Sequence, residues 1–216
     1  MTEVALDHLA ESRLQQLGLS GDLLTRVLLR ADAEAKMTSA LEPPTAEGTT
    51  RYNKTVGVLR EELLPLGWNL SNAKNFCRTI HPSGAFSIVV SSGDEFTGVA
   101  LPGMKPSTKY RKGELTALAV ARNADQGVLD LGLDFEVEAA DAGGLETFWF
   151  LLSWVTGDEI FAELSLPTAI EDGVIVDWQE RLILPHICRR DPWPTITVEE
   201  PPEEDGGPYS VDVAIR

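Results

Sequence analysis

Cysteine is scarce in this chain of 216 residues, which contains Cys77 and Cys188 alone. Two cysteines cannot build the disulfide framework that stabilises small secreted domains. The default expectation is therefore two reduced thiols in a cytosol, although the sequence leaves open a single bridge or a metal-bound state.

Long hydrophobic runs are also missing. The apolar run at 148–155 is too short to span a bilayer. The opening residues, Met-Thr-Glu-Val, lack the basic and apolar regions of a secretory signal. These absences predict a cytoplasmic protein without a membrane partner.

Basic residues are few. Eighteen lysines and arginines stand against 34 aspartates and glutamates, which gives a formal net charge of −16 at pH 7. This charge favours solubility and opposes nonspecific attraction to DNA, RNA or anionic membranes. Nucleic acid is therefore not expected as a partner, except locally through the basic segment 105–112.

Recognisable catalytic and metal-binding motifs are missing as well. The three histidines (His8, His81 and His186) do not form a Ser/His/Asp arrangement with any nucleophile motif. Cys77 lies near His81 and Cys188 near His186, but four residues of a regular strand separate side chains by about 13 Å, too far for one zinc ion. No cofactor is predicted; a divalent metal enters only under the second functional hypothesis below.

Hydrophobic patterning predicts a helical hairpin in residues 1–41. Apolar residues recur at helical spacing on both sides of Gly18, which is the predicted end of the first helix. The Pro-Pro pair at 43–44 breaks the pattern, and 42–50 is predicted to be a linker. The apolar side of this hairpin needs a cover, which is the main domain, a second copy of the chain, or a partner.

The main domain is predicted to be α+β and to occupy 51–190. Helical spacing recurs at 51–64 and 113–123. Strand-like runs occur at 76–81, 85–91, a short run ending at Leu101, 129–137, 147–155, 160–166, 174–178 and 181–187. We expect a mostly antiparallel β-sheet with the two helices packed on one face.

Two of these runs carry further information. Residues 129–137 alternate apolar and acidic or small side chains, which is typical of a half-buried antiparallel strand. Residues 147–155 are apolar on both sides, which predicts a central strand covered on both faces.

A Gly-Asp-Glu corner ends two apolar runs, at 93–95 and at 157–159, and each corner precedes a Leu-Pro pair. The segments 51–102 and 113–167 therefore show a similar order of helix, strands, corner and strand. This similarity indicates either a degenerate internal duplication or two independent uses of a favourable turn sequence, since Gly and Asp favour turns on their own.

The tail, 191–216, is acidic and rich in proline, and it ends in an alternating segment, Tyr-Ser-Val-Asp-Val-Ala-Ile. Its acidic part is expected to be mobile. The terminal segment has the pattern of a strand that adds to this sheet or to that of another chain.

The basic segment is the best candidate site. It precedes a predicted helix, whose N-terminal N–H groups favour anions. The residues predicted to hold a phosphate or a nucleic-acid backbone are Lys105, Ser107, Thr108, Lys109, Arg111 and Lys112. The alternative is a surface loop that offsets local acidity.

Clustered carboxylates form a second candidate, because hard divalent cations take carboxylate oxygens. The candidates are Asp130, Asp134, Glu136 and Glu138 on the alternating strand, and Asp94, Glu95, Asp158 and Glu159 at the two corners. The alternatives are a solvated strand face and ordinary turn residues.

Two functional hypotheses follow. The first is a non-enzymatic interaction protein, such as an adaptor, an immunity or antitoxin-like factor, or a chaperone-like factor, which binds another protein through the hairpin or the C-terminal segment; a homodimer is compatible with it. The second is a divalent-metal-dependent phosphoesterase or nuclease-like enzyme, in which the carboxylates bind metal and the basic segment binds phosphate.

Overall fold

The computed structural model describes residues 2–129 and 146–189, with the backbone alone at 126–129. This part of the chain forms the helices α1 (Asp7–Gln16), α2 (Gly21–Lys36), α3 (Ala46–Leu63) and α4 (Glu114–Leu129). The strands are β1 (Glu3–Ala5), β2 (Asn69–Ser71), β3 (Arg78–Ile80), β4 (Phe86–Ser92), β5 (Thr147–Val155), β6 (Glu159–Glu171), β7 (Val174–Ile183) and β8 (Ile187–Cys188). None of the helices in the described ranges combines the length and apolar content needed to cross a membrane.

One mixed sheet contains all eight described strands. Seven follow the order β1-β7-β6-β5-β4-β3-β2, and β8 pairs with β6. The pairs β4–β5 and β1–β7 are parallel, and the other pairs are antiparallel. The predicted α+β class, with N-terminal helices followed by a mostly antiparallel sheet, is confirmed.

Strand β5 is covered on both faces, as its sequence predicts. Each side chain from Phe148 to Leu152 is at most 3% exposed. Trp149 and Leu151 pack into the core that also contains apolar residues of α1, α2 and α3, whereas Phe148, Phe150 and Leu152 pack into the core of the opposite face.

The two helices of the main domain lie on opposite faces of the sheet, so the prediction that they share one face is wrong. Helix α3 contributes Leu59 and Leu63 to the first core, and α4 contributes Ala119 and Val120 to the second. Asn123 of α4 is buried and fixes this helix to the sheet, because its amide donates to the carbonyls of Phe148 and Pro167 at 2.9 and 3.1 Å. The reason lies in β5: a strand that is apolar on both sides requires cover on both.

The N-terminal hairpin covers the main domain of its own chain. Gly18 ends the turn after α1 with a φ of +68°, a left-handed conformation that glycine adopts without strain. Ser20 then begins α2, since its hydroxyl accepts a hydrogen bond from the Leu23 amide at 3.2 Å. The apolar stripe of α2, which includes Leu24 and Val27, is buried in the first core.

Helix α3 begins inside the segment predicted to be a linker. Residues 46–50 are helical, so the connection after α2 is shorter than 42–50. The Pro-Pro pair lies in the connection before this helix. Proline is tolerated there, because it neither removes a helical hydrogen bond nor clashes with a preceding turn. A hydrogen-bonded ion pair between Glu47 and Arg51, one turn apart, stabilises the start of the helix.

The two Gly-Asp-Glu corners have different structures. The second joins β5 to β6 as an antiparallel hairpin. The first is followed by a turn, in which the Thr97 amide donates to the Asp94 carbonyl at 3.0 Å, and not by the predicted strand ending at Leu101. Strand β4 pairs instead with β5, in parallel. Among the described residues, the first segment therefore lacks the strand that follows the corner in the second; residues 130–145 of the second segment lie outside the described ranges.

Two further boundaries differ from the sequence-based expectation. Helix α4 continues to Leu129, the first residue of the predicted strand 129–137; the rest of that strand lies outside the described residues. The predicted strands 174–178 and 181–187 form one continuous strand, β7, followed by the short β8. Asp172 and Gly173 make the turn before β7, with φ angles of +48° and +80°, as expected for a tight hairpin.

Candidate anion-binding cleft

A cleft of about 600 Å³ opens at the carboxyl ends of the parallel strands β4 and β5, beside the N-terminus of α3. Its side chains are mainly hydroxyl, aromatic and basic. The lining residues are Pro44, Thr45, Glu47, Gly48, Thr49, Arg51, Tyr52, Thr55, Val90, Ser91, Ser92, Gly93, Lys109, Tyr110, Lys112, Ser153, Trp154, Val155, Thr156 and Arg189.

Gly93 directly follows the last residue of β4 and lines the cleft. Its amide donates to the Ser153 carbonyl at 2.9 Å and so extends the contact with β5. A β-carbon at this position would lie 2.0 Å from the Thr97 hydroxyl oxygen, which belongs to the turn that follows. A residue other than glycine would clash with Thr97, so glycine allows the turn to pack against the end of the strand.

The basic segment 105–112 returns to the same strand end and is tied down along its length. The Trp178 indole donates to the Pro106 carbonyl at 2.8 Å, and the Ile175 amide donates to the Thr108 hydroxyl at 3.3 Å. The Lys109 amide donates to the Ser92 carbonyl at 3.0 Å. These hydrogen bonds hold the segment against the face of the sheet that carries Ile175, Trp178 and α4.

A buried ion pair supports the loop that precedes the basic segment. Arg181 Nη2 lies 2.6 Å from Glu163 Oε2, and both side chains are at most 2% exposed. The Gly98 amide donates to Glu163 at 2.9 Å, and Arg181 donates to the carbonyl of Val99 at 3.1 Å. Each oxygen of the Glu163 carboxylate therefore accepts more than one donor, as a buried charge requires.

The six predicted anion-binding residues divide into two groups. Lys109 and Lys112 line the cleft. Lys105 lies away from it and pairs with Asp177 at 2.6 Å. The remaining residues hold the segment or face solvent: Ser107 donates its amide to Asp94, Thr108 is buried, and Arg111 is exposed.

Lys112 differs from the other basic side chains of the segment because it is half-buried. Burial lowers the pKa of its ammonium group. Within the described ranges it forms no ion pair. Lys109 is exposed, and its ammonium lies 5.6 Å from the centroid of the Tyr110 ring.

Arg51 and Arg189 are cleft residues that the sequence did not indicate. Both bind the buried carboxylate of Asp32: Arg51 Nε at 3.0 Å, and Arg189 Nε and Nη2 at 2.9 and 3.0 Å. Burial alone would raise the pKa of Asp32, but the hydrogen bonds and charges of the two arginines outweigh it and hold this pKa below its ordinary value. The one local signal for Arg51 was its spacing of four residues from Glu47.

The four candidate carboxylates at the two corners, Asp94, Glu95, Asp158 and Glu159, do not line the cleft. Asp94 accepts the amides of Phe96 and Ser107 at 3.2 and 2.9 Å, as a turn residue does, and burial raises its pKa. Residues 2–129 and 146–189 contain no group of three or more His, Cys, Asp or Glu able to hold a metal ion. Asp130, Asp134, Glu136 and Glu138 lie outside the described residues.

The two cysteines are free thiols, and His81 and His186 pack against aromatic rings. Cys77 is half-buried and Cys188 is exposed. His81 packs against the rings of Trp68 and Phe86 at 4.9 and 4.6 Å. His186 contacts the ring of Phe161 at 4.5 Å.

In comparisons with protein-family models, curated proteins and solved structures, the chain has no significant match.

The composition of the lining determines what the cleft can do. Its charged side chains are four cations and one carboxylate, Glu47, which is paired with Arg51; its lining contains no histidine or cysteine. The arrangement is suited to holding an anion. Among the described lining residues, the groups able to transfer a proton to a bound group are lysine and tyrosine side chains.

Proposed function

We propose that this chain is a non-enzymatic interaction protein of the adaptor, immunity or antitoxin-like, or chaperone-like kind. It acts in the cytoplasm, and the basic cleft binds an anionic group presented by a partner protein. The observation that carries the proposal is the convergence of Arg51, Lys109, Lys112 and Arg189 on one cleft in a chain whose formal charge is −16.

Electrostatics supports binding at this place. A cleft with low-dielectric walls focuses the field of the charges that line it, and so attracts an oppositely charged group more strongly than a flat surface does. The rest of the molecule is acidic and repels the same group, so binding is directed to the cleft.

The internal packing of the hairpin also supports this assignment. The apolar stripe of α2 is buried against the same chain, and it is therefore not a free surface for a partner. We assign the partner contact to the cleft. The phosphoesterase hypothesis gains no comparable support from the described residues, because Glu47, the one carboxylate among those that line the cleft, is paired with Arg51.

A charge-reversal comparison tests the proposal. The full chain is used to capture partners from the lysate of its own host, and a captured protein is identified and purified with the chain as a complex. Lys109→Glu reverses an exposed charge in the cleft. Arg111→Glu reverses an exposed charge two residues away, outside the cleft.

We expect the wild type and Arg111→Glu to form the same complex, and Lys109→Glu to bind at least about tenfold more weakly. The affinity should also fall with rising salt, as it does for an electrostatic interface. Equal affinities for the two variants, or a chain that remains alone in the lysate, would overturn the proposal.

A further inference from the structure

We infer that the anionic group held by the cleft is a phosphoryl group, a phosphate monoester, bound between Lys112 and Lys109. This inference rests on the proposed function and names the ligand chemistry of that same site.

Lys112 has no counter-charge among the described residues. It is half-buried, it lines the cleft, and it forms no ion pair in the described part of the chain. A charge withdrawn from water without a partner is unfavourable. Its backbone is fixed there, because the Lys112 amide donates to the Gly173 carbonyl at 2.6 Å. A bound anion would supply the missing charge.

Pairing within the cleft leaves a net positive charge on its lysines. Asp32 and Glu47 offset the two arginines, which bind them directly. Lys109 and Lys112 are then two cations without partners among the described residues. A phosphate monoester carries a charge of about −1.5 to −2 at pH 7, whereas a carboxylate carries one. The local charge therefore matches the phosphoryl group better.

The cleft also has several hydrogen-bond donors besides its basic side chains. Besides the two ammonium groups, the lining has hydroxyl groups from Thr45, Thr49, Ser92 and Ser153. The side chain of the N-cap residue Thr45 makes no hydrogen bond to the start of α3. It therefore leaves the N–H groups of the first turn uncapped beside the cleft. A phosphoryl group has three strong acceptor oxygens to use such donors.

The space around these donors indicates what carries the phosphoryl group. A cleft of about 600 Å³ is larger than a phosphate ion and falls within the range of ligand-sized pockets. Tyr52 and Trp154 form part of the lining. The volume beyond that of a phosphate ion leaves room for the group to which the phosphate is esterified.

Binding is measured by calorimetry and by thermal shift on the full chain at constant ionic strength, in a buffer without phosphate. The probes are inorganic phosphate, glycerol 3-phosphate, and a short peptide with one phosphoserine; acetate and the same peptide with glutamate are the controls. The variants are Lys112→Met, which keeps the length and apolar volume of the side chain, and Arg111→Ala, which lies outside the cleft.

We expect phosphate and the monoesters to bind and to raise the melting temperature, and the two carboxylate controls to have no such effect. Lys112→Met should weaken phosphate binding at least about tenfold, since it removes a charged hydrogen-bond donor, and Arg111→Ala should bind as the wild type does. The tighter of the two monoesters assigns the source: the phosphopeptide indicates a partner's side chain, and glycerol 3-phosphate indicates a small metabolite.

The inference is overturned if the glutamate peptide binds as tightly as the phosphopeptide, or if Lys112→Met leaves phosphate binding unchanged. Its failure is distinct from that of the proposed function. A partner that depends on Lys109 but binds equally well after phosphatase treatment would refute the phosphoryl group and leave the interaction protein standing.

Discussion

Asp32 and Arg189 are 157 positions apart in the chain and are joined by two hydrogen bonds, of 2.9 and 3.0 Å. The same carboxylate accepts Arg51 at 3.0 Å. Asp32 thus links α2 to the first turns of α3 and to the residue that follows β8. Both arginines line the cleft, so one buried carboxylate on α2 holds two of its basic side chains in place.

The substitution Asp32→Asn should lower the free energy of unfolding by about 3 kcal/mol at pH 7, because it removes the buried carboxylate that pairs with two half-buried arginines. Chemical denaturation measures this change. The control is Glu34→Gln on the same helix, which breaks an exposed pair with Lys54 and should lower it by no more than about 1 kcal/mol. Equal effects would contradict a central role for Asp32.

The stabilisation from Asp32 should also depend on pH. Since the pKa of Asp32 in the folded protein lies below its ordinary value of 3.8, the ionised carboxylate stabilises the fold fully above that value. The contribution is lost as the pH falls through the lower, folded-state pKa. The difference in unfolding free energy between wild type and Asp32→Asn should therefore shrink in this acidic range; a constant difference would argue against the ion pairs.

Replacing Glu163 by glutamine should destabilise the loop over the second sheet face. Gly98, Ser165 and Arg181 all donate to its two oxygens, so the amide NH₂ of Glu163→Gln meets a donor in either orientation. We expect a loss of about 3–5 kcal/mol and faster hydrogen exchange at the Gly98 amide. The double variant Glu163→Leu with Arg181→Met should lose less than the sum of its single changes, since no charge remains buried.

Gly98 provides a separate test of how closely this loop packs on β6. Its φ is +72°, and a β-carbon would lie 3.0 Å from the Ala162 amide nitrogen and 3.2 Å from Phe161 Cβ. Gly103 has a similar φ of +78° but open space around it. Gly103→Ala should therefore cost about 1–2 kcal/mol from backbone strain alone, and Gly98→Ala measurably more. Equal losses in thermal denaturation would show that the crowding is relieved without strain.

The sequence predicted the parts of the fold that local patterns determine. The two-sided apolar run of β5, the end of α1 at Gly18 and the tight turn at 172–173 follow from periodicity and turn chemistry. The start of α3 was missed because Pro44 and Gly48 resemble a linker. The side of the sheet on which α4 packs depends on the path of the whole chain, so the helical period of 113–123 cannot reveal it.

The candidate site was predicted in part for a similar reason. Concentrated charge in 105–112 identified Lys109 and Lys112, which line the cleft. Arg51 and Arg189 could not be associated with them, because their positions depend on Asp32 and on the parallel pairing of β4 with β5. The first Gly-Asp-Glu corner was interpreted as a hairpin, since the sequence of such a turn does not specify which strand becomes the neighbour.

Lys112→Met should raise the free energy of unfolding at pH 7 in a buffer without phosphate. Burial lowers the pKa of Lys112 below its ordinary value of 10.5, so the folded protein holds the proton less tightly than the unfolded chain, and the charged lysine opposes folding. This penalty is complete below the folded-state pKa, decreases as the pH rises through that value, and disappears above 10.5, where both states are neutral. The advantage of the variant should therefore decrease over that range in denaturation experiments. Lys109→Met removes an exposed charge and should give no comparable gain in unfolding free energy. An equal gain for both variants would mean that the burial of Lys112 does not cause the stabilisation.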